Sequence, residues 1–319
     1  MERPLSATVQ RAVIVVHGGA GVPLPQMLDD EQRAAALRGL NQALRCAHEL
    51  LADGGSALDA VELAVRTMED DPAFNAGVGA ALTRDGHAEH EAAIMDGRSG
   101  LAGAVAGTRH IRNPVRLARA VMEHSPHVCL MGQGAESFAQ QRGFELVDGS
   151  TFITPRRLQA LARVMAGAPA AEPLDEADRH GTVGAVAVDA RGHVAAATST
   201  GGLTAKLPGR MGDTAVIGAG TYACDASCAI SATGHGEHFM RMVFAHRVAS
   251  LIELGGLSLE QAAARALDTL VLAGGRGGLI GATSDGSITL RFSGPGMYRG
   301  SWRVGEATPC VAIYGATVR

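Results

Sequence analysis

The chain has 319 residues, of which 46% are hydrophobic and 19% are charged, and its formal net charge is −4. This composition is sufficient for the core of one large domain or two, and the absence of a basic block excludes nucleic acid as an expected partner. Aromatic residues account for only 3% of the chain while glycine occurs 42 times, so we expect a core of small aliphatic side chains with many tight turns.

Cysteine usage and the first apolar segment indicate the compartment. The five cysteines are odd in number and include no Cys-x-x-Cys motif, which favours reduced thiols in a cytosol over a disulfide framework. The apolar run over 12–16 is too short to span a membrane and lacks a signal-peptide cleavage pattern. We therefore expect a cytoplasmic protein that makes no membrane contact.

The first half of the chain begins with a buried strand and continues with helices. Val13 to Val16 is typical of a buried strand, and the glycine-rich stretch over 17–21 predicts a turn after it. Apolar spacing near 3.6 residues predicts a helix from Asp30 to Leu51. Further predicted elements are a helix from the capping residue Ser56 to about Glu69, a hairpin over 83–95, and helices over 114–123 and 135–142.

A change of composition in the middle of the chain predicts a linker. Residues 156–179 are rich in alanine, proline and charged side chains, which predicts a short helix that leads into a mobile segment. Two apolar strands follow, Val183 to Val188 and Val194 to Ser199, with a turn signal between them. A mobile segment that ends at a strand exposes its backbone to cleavage.

The second half continues with a mixture of loop, helices and strands. A glycine-rich loop over 201–220 precedes predicted helices over about 236–254 and after Ser258, and strands over 279–284 and 287–292. Asp285-Gly286 between those strands is a strong hairpin signal. Because strands and helices come in consecutive runs without strict alternation, the pattern favours an α+β fold over a doubly wound parallel sheet.

The dipeptide Gly181-Thr182 is the strongest candidate for chemistry. A threonine hydroxyl is a poor nucleophile until a base takes its proton, and cleavage before Thr182 would give that residue a free α-amine to act as the base. An α-amine has a pKa of roughly 8, close to the working pH. Gly181 has no Cβ, so the chain can bend until the hydroxyl approaches the Gly181 carbonyl. Taken alone, a Gly-Thr pair is more often a turn that opens a strand.

Three other groups of residues are candidates for a role in the reaction. Thr200 ends the second strand after the linker and can hydrogen-bond the attacking oxygen, unless it is only a strand-forming residue. Arg210 and Asp213 lie in a rigid turn and would hold the α-carboxylate and α-amine of an amino acid, unless they are a solvated surface pair. Thr233 and Gly234 precede a helix start that can stabilise an oxyanion, although an N-cap with turn glycines has the same pattern.

Metal binding has weaker support in the sequence. The histidine pairs at 124 and 127 and at 235 and 238 lack a third ligand, so zinc is not expected. A monovalent cation held by backbone carbonyls would leave no side-chain pattern. The sequence pattern therefore leaves an alkali ion open.

Eight segments, taken in order, resemble the plant-type L-asparaginase / isoaspartyl peptidase family of N-terminal nucleophile hydrolases. They lie at 17–21, 74–79, 94–97, 124–127, 181–184, 198–202, 207–213 and 233–237. The resemblance covers nearly the whole chain and implies an α+β fold of the four-layer αββα sandwich type. It also implies self-cleavage into an α-subunit of residues 1–181, with a mobile end over about 156–181, and a β-subunit of residues 182–319, together one folded domain.

The same resemblance assigns roles to individual residues. It implies that Thr182, exposed by cleavage between Gly181 and Thr182, is the nucleophile and that Thr200 supports it. Thr233 and Gly234 would form the oxyanion hole. The residues that would bind substrate are Arg210, Asp213, Gly236 and Asn75. Backbone carbonyls that would hold a structural sodium or potassium ion belong to Met68, Glu69, Asp71, Phe74, Ala76 and Val78.

The implied activity is hydrolysis of β-aspartyl dipeptides and L-asparagine, with no cofactor needed for the chemistry, by a homodimer of cleaved αβ protomers. Two positions depart from the family pattern. Glu91 stands where the family usually has aspartate, and Ser293-Gly294 replaces the usual Asn-Thr. The alternatives are another threonine-nucleophile hydrolase, such as a glycosylasparaginase or an endopeptidase, and a relative that binds without catalysis.

Overall fold

The structure is a computed structural model that describes residues 12–20, 22, 25–167 and 181–315. The helices are α1 (Asp30–Ala52), α2 (Ala57–Glu69), α3 (Pro114–His124), α4 (Gly132–Gln141), α5 (Pro155–Met165), α6 (Gly236–Met242), α7 (Phe244–Glu253) and α8 (Leu259–Leu272). The strands are β1 (Val13–Ala20), β2 (His90–Asp96), β3 (Ala102–Thr108), β4 (Cys129–Met131), β5 (Val183–Val188), β6 (Val194–Thr200), β7 (Thr221–Ala223), β8 (Ala229–Gly234), β9 (Gly277–Ala282), β10 (Ile288–Phe292), β11 (Met297–Arg303) and β12 (Cys310–Ala312).

The strands form two sheets, so the predicted α+β class is confirmed. The larger sheet has eight strands in the order β12-β11-β1-β5-β6-β2-β3-β4, and the smaller one has four in the order β10-β9-β8-β7. All neighbours pair antiparallel except β3 and β4, which are parallel. In the centre of the larger sheet, β5 lies between β1 and β6, and these three strands come from both halves of the chain.

Alternating side chains of the central strands pack into two different hydrophobic cores. On β1, Ile14 and Val16 pack with helices α1 and α2, whereas Val13 and Val15 face a cluster that includes Ile280 of the smaller sheet. This follows from the two-residue period of a strand. A third cluster joins the smaller sheet to the last helices. Each fully buried valine or isoleucine contributes roughly 1.5–3 kcal/mol, so these strands are stabilised from both faces.

Capping residues explain where two of the predicted helices begin. The Ser56 hydroxyl accepts a hydrogen bond from Asp59 N at 3.1 Å, before α2. Ser258 does the same for Gln261 N before α8, and the Gln261 side chain accepts from Ser258 N, which completes a capping box. Such a cap contributes about 1 kcal/mol. The helix starts at Ser56 and Ser258 are therefore confirmed.

The predicted glycine turn at 17–21 is wrong for residues 17–20, because β1 continues through these residues to Ala20. His17 pairs with Gly184 on β5, and Gly19 pairs with Tyr298 on β11 after a register shift. Gly19 has a φ of +114°, which a residue with a Cβ rarely adopts. The glycines let the strand bend without ending it.

The predicted single helix over 236–254 is two helices. Val243 breaks it in the left-handed conformation, with a φ of 48°. Phe239 and Phe244 flank the break, and their rings meet edge to face with centroids 4.6 Å apart in the same core. In a straight helix, positions five apart would point about 140° away from each other. The break allows both rings to be buried together.

The predicted hairpin over 83–95 is also wrong in its pairing. A short turn forms at its start, where Thr83 N donates to His87 O at 2.8 Å and Leu82 and Ala88 form an isolated antiparallel bridge. The strand β2 pairs instead with β3 and β6. Five of the seven residues of β3 are alanine or glycine, so it has few of the β-branched residues that identify a strand.

The start of the predicted linker is helical, as α5 shows, and residues 168–180 lie outside the described residues. All five cysteines are unpaired thiols. No helix within the described ranges has both the length and the apolar character needed to cross a membrane.

Candidate active site

The peptide between Gly181 and Thr182 lies at the start of β5, against the bend of β1. Thr182 is buried. A Cβ on Gly19 would lie 3.0 Å from Gly181 Cα and 3.2 Å from Thr182 N. Gly19 therefore has two reasons to lack a side chain, its positive φ and this close approach. Sequence reasoning quoted the glycine run but did not assign it to the site.

Two side chains donate hydrogen bonds to the Gly181 carbonyl oxygen. Asn75 Nδ2 and Thr200 Oγ1 each lie 2.8 Å from it. The Thr182 hydroxyl in turn donates to Thr200 Oγ1 at 3.2 Å. A chain of hydroxyls thus runs from the predicted nucleophile through Thr200 to the carbonyl of the predicted cleavage site. Donors placed in this way can stabilise negative charge on that oxygen.

The Asn75 amide is fixed by hydrogen bonds on all sides. Its Nδ2 also donates to Gly202 O at 2.8 Å, and its Oδ1 accepts from Ala81 N at 2.6 Å. Gly202 N donates to Thr200 Oγ1 at 3.0 Å. Because the side chain is only 2% exposed, the amide cannot turn without losing several buried hydrogen bonds. Its donor is therefore held towards Gly181.

A small cavity adjoins this peptide and is lined by most of the predicted catalytic and substrate-binding residues. Its lining residues are Gly181, Thr182, Thr200, Gly202, Leu203, Arg210, Gly212, Asp213 and Gly234. They come from the two residues before β5, the end of β6, the loop after β6, and the end of β8. The tertiary structure thus brings a hydroxyl, a guanidinium and a carboxylate to one place.

Arg210 is mostly buried and contacts two carboxylates. Its Nε and Nη2 donate to Glu237 Oε1 at 3.0 and 2.9 Å. Its Nη1 lies 3.9 Å from Oε1 of Glu91. Burial raises the pKa of Glu91, and the nearby cations Lys206 and Arg210 oppose that shift. The alternative of a solvated surface pair is wrong for Arg210, whose side chain is only 16% exposed.

Asp213 is a buried carboxylate with an unused acceptor. Its Oδ2 has no hydrogen-bond partner among the described residues. Burial raises its pKa to about 7, and the negative charge of Glu91 adds to the shift. A Cβ on Gly236 would lie 2.8 Å from Asp213 Oδ1 and 3.0 Å from Arg210 Nη2. Gly236 therefore leaves both charged groups open to a ligand.

Thr233 and Gly234 end β8 on the far side of the cavity. Thr233 is buried and its hydroxyl accepts from Ala20 N at 3.3 Å. Gly234 lines the cavity with a φ of +145°, and a Cβ there would lie 2.3 Å from Arg276 O. Only glycine fits this position. His235 follows as the residue before α6, with no side-chain cap to that helix.

A buried network lies between the two sheets beneath the site. His17 Nε2 is 2.8 Å from Ser231 Oγ, which is 2.7 Å from Thr198 Oγ1. Thr221 donates to Thr198 at 2.7 Å. Burial lowers the pKa of His17 to about 3, so the ring is neutral at physiological pH. The network holds β1, β6 and the smaller sheet at a fixed distance.

The six residues predicted to hold an alkali ion lie at the end of α2 and in the loop that follows it. Glu69 O accepts from Val78 N at 2.8 Å, and Asp71 O accepts from Phe74 N at 3.2 Å. Gly77 has a φ of +51°, and a Cβ there would lie 2.2 Å from Glu69 O. Gly77 therefore lets the backbone pass close to Glu69 O, where a side chain would clash. The described ranges contain no group of three histidine, cysteine, aspartate or glutamate side chains placed for a metal ion.

The Glu69 side chain points away from its carbonyl into the core. Its Oε1 accepts from Ser199 Oγ at 2.6 Å and from Val115 N at 3.0 Å. Burial raises its pKa to about 8, so it is mostly protonated at neutral pH. It joins the predicted ion loop to β6, the strand that carries Thr200.

Sequence reasoning did not assign a role to Glu237, Gly202 or Gly19. Each of them lies in a segment that resembles the family: Gly19 in 17–21, Gly202 in 198–202 and Glu237 in 233–237. Their partners are distant in sequence, however, so only the folded structure identifies the contacts.

Comparison with known proteins gives one consistent result. The sequence model of the family described as "Asparaginase" matches residues 10–311. An isoaspartyl peptidase of Salmonella typhimurium strain LT2 is 48% identical over 312 residues, which cover 96% of this chain and 99% of that protein. The isoaspartyl peptidase of Escherichia coli strain K12 is 47% identical over 310 residues, or 95% and 96% of the two chains. A Xenopus laevis isoaspartyl peptidase/L-asparaginase is 43% identical over 284 residues, 89% of each chain. The chain therefore belongs to the asparaginase family.

Proposed function

We propose that the protein is a self-cleaving amidohydrolase that hydrolyses β-aspartyl dipeptides and L-asparagine and releases L-aspartate. One observation carries this proposal: the Thr182 hydroxyl, Thr200 and the Gly181 carbonyl form a hydrogen-bonded chain beside a cavity that holds Arg210 and Asp213. The names of the relatives, isoaspartyl peptidase and isoaspartyl peptidase/L-asparaginase, support the same substrates.

The first reaction is cleavage of the chain before Thr182. The Thr182 oxygen attacks the Gly181 carbonyl carbon, its proton passes to the amide nitrogen, and the C–N bond breaks to leave an ester. Breaking the C–N bond frees the α-amine of Thr182, and water then hydrolyses the ester, which restores the hydroxyl and releases Gly181 as a carboxylate. Asn75 and Thr200 donate to the oxygen that becomes negative during the attack. This arrangement supports the intact peptide as the first substrate of the site.

The second reaction uses the freed amine. It takes the proton of the Thr182 hydroxyl, which attacks the β-carbonyl of the substrate. Thr233 and Gly234 stabilise the resulting oxyanion from the end of β8. The amine or amino acid departs with a proton, and water then releases aspartate from the acyl-enzyme, so the threonine is regenerated.

The cavity matches the two charges next to a β-aspartyl bond. Such a substrate has an α-carboxylate and an α-ammonium on the same carbon. Arg210 binds the carboxylate and Asp213 binds the ammonium, and Gly236 leaves room for both. Their burial supports this assignment, because electrostatic interactions strengthen in a site with little water.

We further propose a four-layer αββα sandwich that is cut into subunits of residues 1–181 and 182–319. Three clusters support the layers, one between α1–α3 and the larger sheet, one between the sheets, and one between the smaller sheet and α6–α8. Because β5 of the second segment pairs with β1 of the first, the fragments would stay together after cleavage.

The loop over 68–78 is proposed to hold a sodium or potassium ion through its carbonyl oxygens. The donors fit a hard cation, since they are all backbone oxygens, and Gly77 lets the backbone pass close to Glu69 O, where a Cβ would lie only 2.2 Å away. A bound ion would stabilise the loop that carries Asn75. Its contribution is structural, and each chemical step uses side chains of the protein.

Two properties of the whole particle complete the proposal. We propose a homodimer of cleaved protomers in the cytoplasm. Exposed Leu254 and Leu272, 85% and 88% exposed, would offer apolar surface to a second copy, and the odd number of cysteines supports a reducing compartment. Light scattering on the cleaved protein tests the dimer.

The test is intact mass with N-terminal sequencing after incubation, followed by a substrate panel. We expect two fragments that separate before Thr182 and hydrolysis of β-aspartyl dipeptides and L-asparagine. The panel includes α-aspartyl dipeptides and glycosylated asparagine, so preference for the latter would identify a glycosylasparaginase instead. An uncut chain that still hydrolyses β-aspartyl amides would contradict the mechanism.

A further inference from the structure

Arg210 lies between two carboxylates that take no part in the proposed reaction. Glu91 is on β2 and its side chain is 1% exposed, whereas Glu237 is in the first turn of α6 and its side chain is 51% exposed. A guanidinium has two edges at which it can bind a carboxylate in a bidentate manner. The edge that these two carboxylates leave unoccupied is the one at which Arg210 can bind a substrate carboxylate.

Glu237 occupies the edge formed by Nε and Nη2. Both nitrogens donate to its Oε1, at 3.0 and 2.9 Å. Nη1 makes no hydrogen bond to any described residue, and Glu91 Oε1 is 3.9 Å away. A Cβ on Gly202 would lie 3.2 Å from Nη1, and Gly202 lines the cavity. The unused end of the guanidinium thus lies on the cavity side.

Glycines limit the movement of the guanidinium. A Cβ on Gly212 would lie 2.8 Å from Nη1 and 3.3 Å from Cζ, so the group packs flat against the backbone there. On another side, a Cβ on Gly236 would lie 3.0 Å from Nη2. The backbone at Gly212 and Gly236 determines the plane of the guanidinium. The rotation of the guanidinium within that plane depends on the hydrogen bonds to Glu237.

Glu91 holds the loop and not the guanidinium. Its Oε2 accepts from Gly212 N at 2.8 Å, while Oε1 has no hydrogen-bond partner among the described residues. The buried carboxylate therefore attracts Arg210 without directing it. The directional contacts are those to Glu237.

We propose that Glu237 is a positioning residue that turns the Nη1 end of Arg210 towards the carboxylate of the substrate. This inference rests on the proposed function, because it concerns how Arg210 recognises its ligand. Glu237 thereby determines the preference for substrates with a free α-carboxylate over those with an amide at that position. It does not touch the reacting atoms, so its effect falls on binding.

The experiment compares Glu237→Ala and Glu237→Gln with the wild type on a β-aspartyl dipeptide. For Glu237→Ala we expect KM to rise about tenfold while kcat stays within about twofold. Glu237→Gln keeps a carbonyl oxygen for Nε and Nη2 and should restore part of the loss. Glu253→Ala is the matched control, because it removes an exposed glutamate of the adjacent helix α7 that makes no contact with Arg210.

A double variant separates positioning from a structural role. If Glu237 acts through Arg210, adding Glu237→Ala to Arg210→Ala should change kcat/KM by less than about twofold. Additive losses would overturn the proposal, as would an unchanged KM in both Glu237 variants. A lowered KM would also overturn it, because Glu237 would then compete with the substrate. If the wild type is neither cut nor active on β-aspartyl substrates, the proposed function itself has failed.

Discussion

The peptide at Gly181-Thr182 and the loop at Arg210–Asp213 border the same cavity, yet their hydrogen bonding differs. Around the peptide, Asn75 and Thr200 have complete sets of partners, and the Gly181 oxygen accepts two hydrogen bonds. In the loop region, Glu91 Oε1 and Asp213 Oδ2 are buried without a partner among the described residues.

An unsatisfied buried acceptor costs about 1–3 kcal/mol, so the loop region is less stable by itself than the peptide region. The difference matches two kinds of task. In the proposed function, the peptide region is complete because its first substrate is part of the chain, whereas the loop region is completed by a charged molecule that arrives from solvent. Variants of each region should therefore affect different steps.

The largest effect is expected from Thr182→Ala, which removes the hydroxyl on which both regions act. The chain should remain uncut, and hydrolysis of β-aspartyl dipeptides should fall by roughly 10⁴-fold or more. A denaturing gel and an aspartate-release assay measure the two results. Thr182→Ser is the control, since it keeps a hydroxyl and should still be cut. A cut and active Thr182→Ala protein would rule out the scheme.

Arg210→Ala should affect the loop region alone. The chain should still be cut, while kcat/KM for a β-aspartyl dipeptide falls by roughly 10²-fold, mainly through KM, because one partner of a buried charged contact is lost. Steady-state kinetics on the cleaved protein measure the change. A substrate whose α-carboxylate is amidated is the control and should show little difference between the proteins. Unchanged kinetics would place Arg210 outside the site.

Asn75→Asp should affect the peptide region alone. Aspartate keeps the oxygen that accepts from Ala81 N but loses the donor to Gly181 O. Cleavage should slow by roughly 10²–10³-fold, as for loss of one oxyanion donor. The rate is followed on a gel after dilution from denaturant, and a melting curve shows whether the fold is kept. Cleavage at the wild-type rate would remove Asn75 from that step.

A smaller effect is expected from pH, through Asp213. Its pKa is raised to about 7 by burial, and only the ionised form attracts an ammonium, so KM should fall about tenfold from pH 6 to pH 8. Arg210, Glu91 and Glu237 face the same group, and Asp213→Asn is the control, with a flat profile expected. A wild-type KM that rises over this range would contradict the assignment.

The same shift has a defined consequence for stability. Because the folded protein binds the Asp213 proton more tightly than the unfolded chain, the stabilisation from this group is complete below the unfolded pKa of about 3.9. It is lost as the pH rises through about 7. Melting temperatures of the wild type and Asp213→Asn, compared at pH 5 and pH 8, should therefore diverge at the higher pH.

Local signals predicted much of the fold and supplied the candidate site residues. Caps at Ser56 and Ser258 and apolar periodicity identified helices, and the Gly181-Thr182 dipeptide identified the start of β5. Predictions failed where distant packing outweighs local pattern. Val243 breaks a periodic helix so that two phenylalanines share one core, and β3, which is mostly alanine and glycine, pairs with β2.

The amino-acid sequence by itself determined which chemical groups are present and the family to which the chain belongs, because these depend on residue types and short spacings. The tertiary structure decided which groups meet. Asn75 reaches Gly181 across 106 positions, and Arg210 meets Glu237 across 27. Such contacts depend on strand register and on buried hydrogen bonds, and both are properties of the folded chain as a whole.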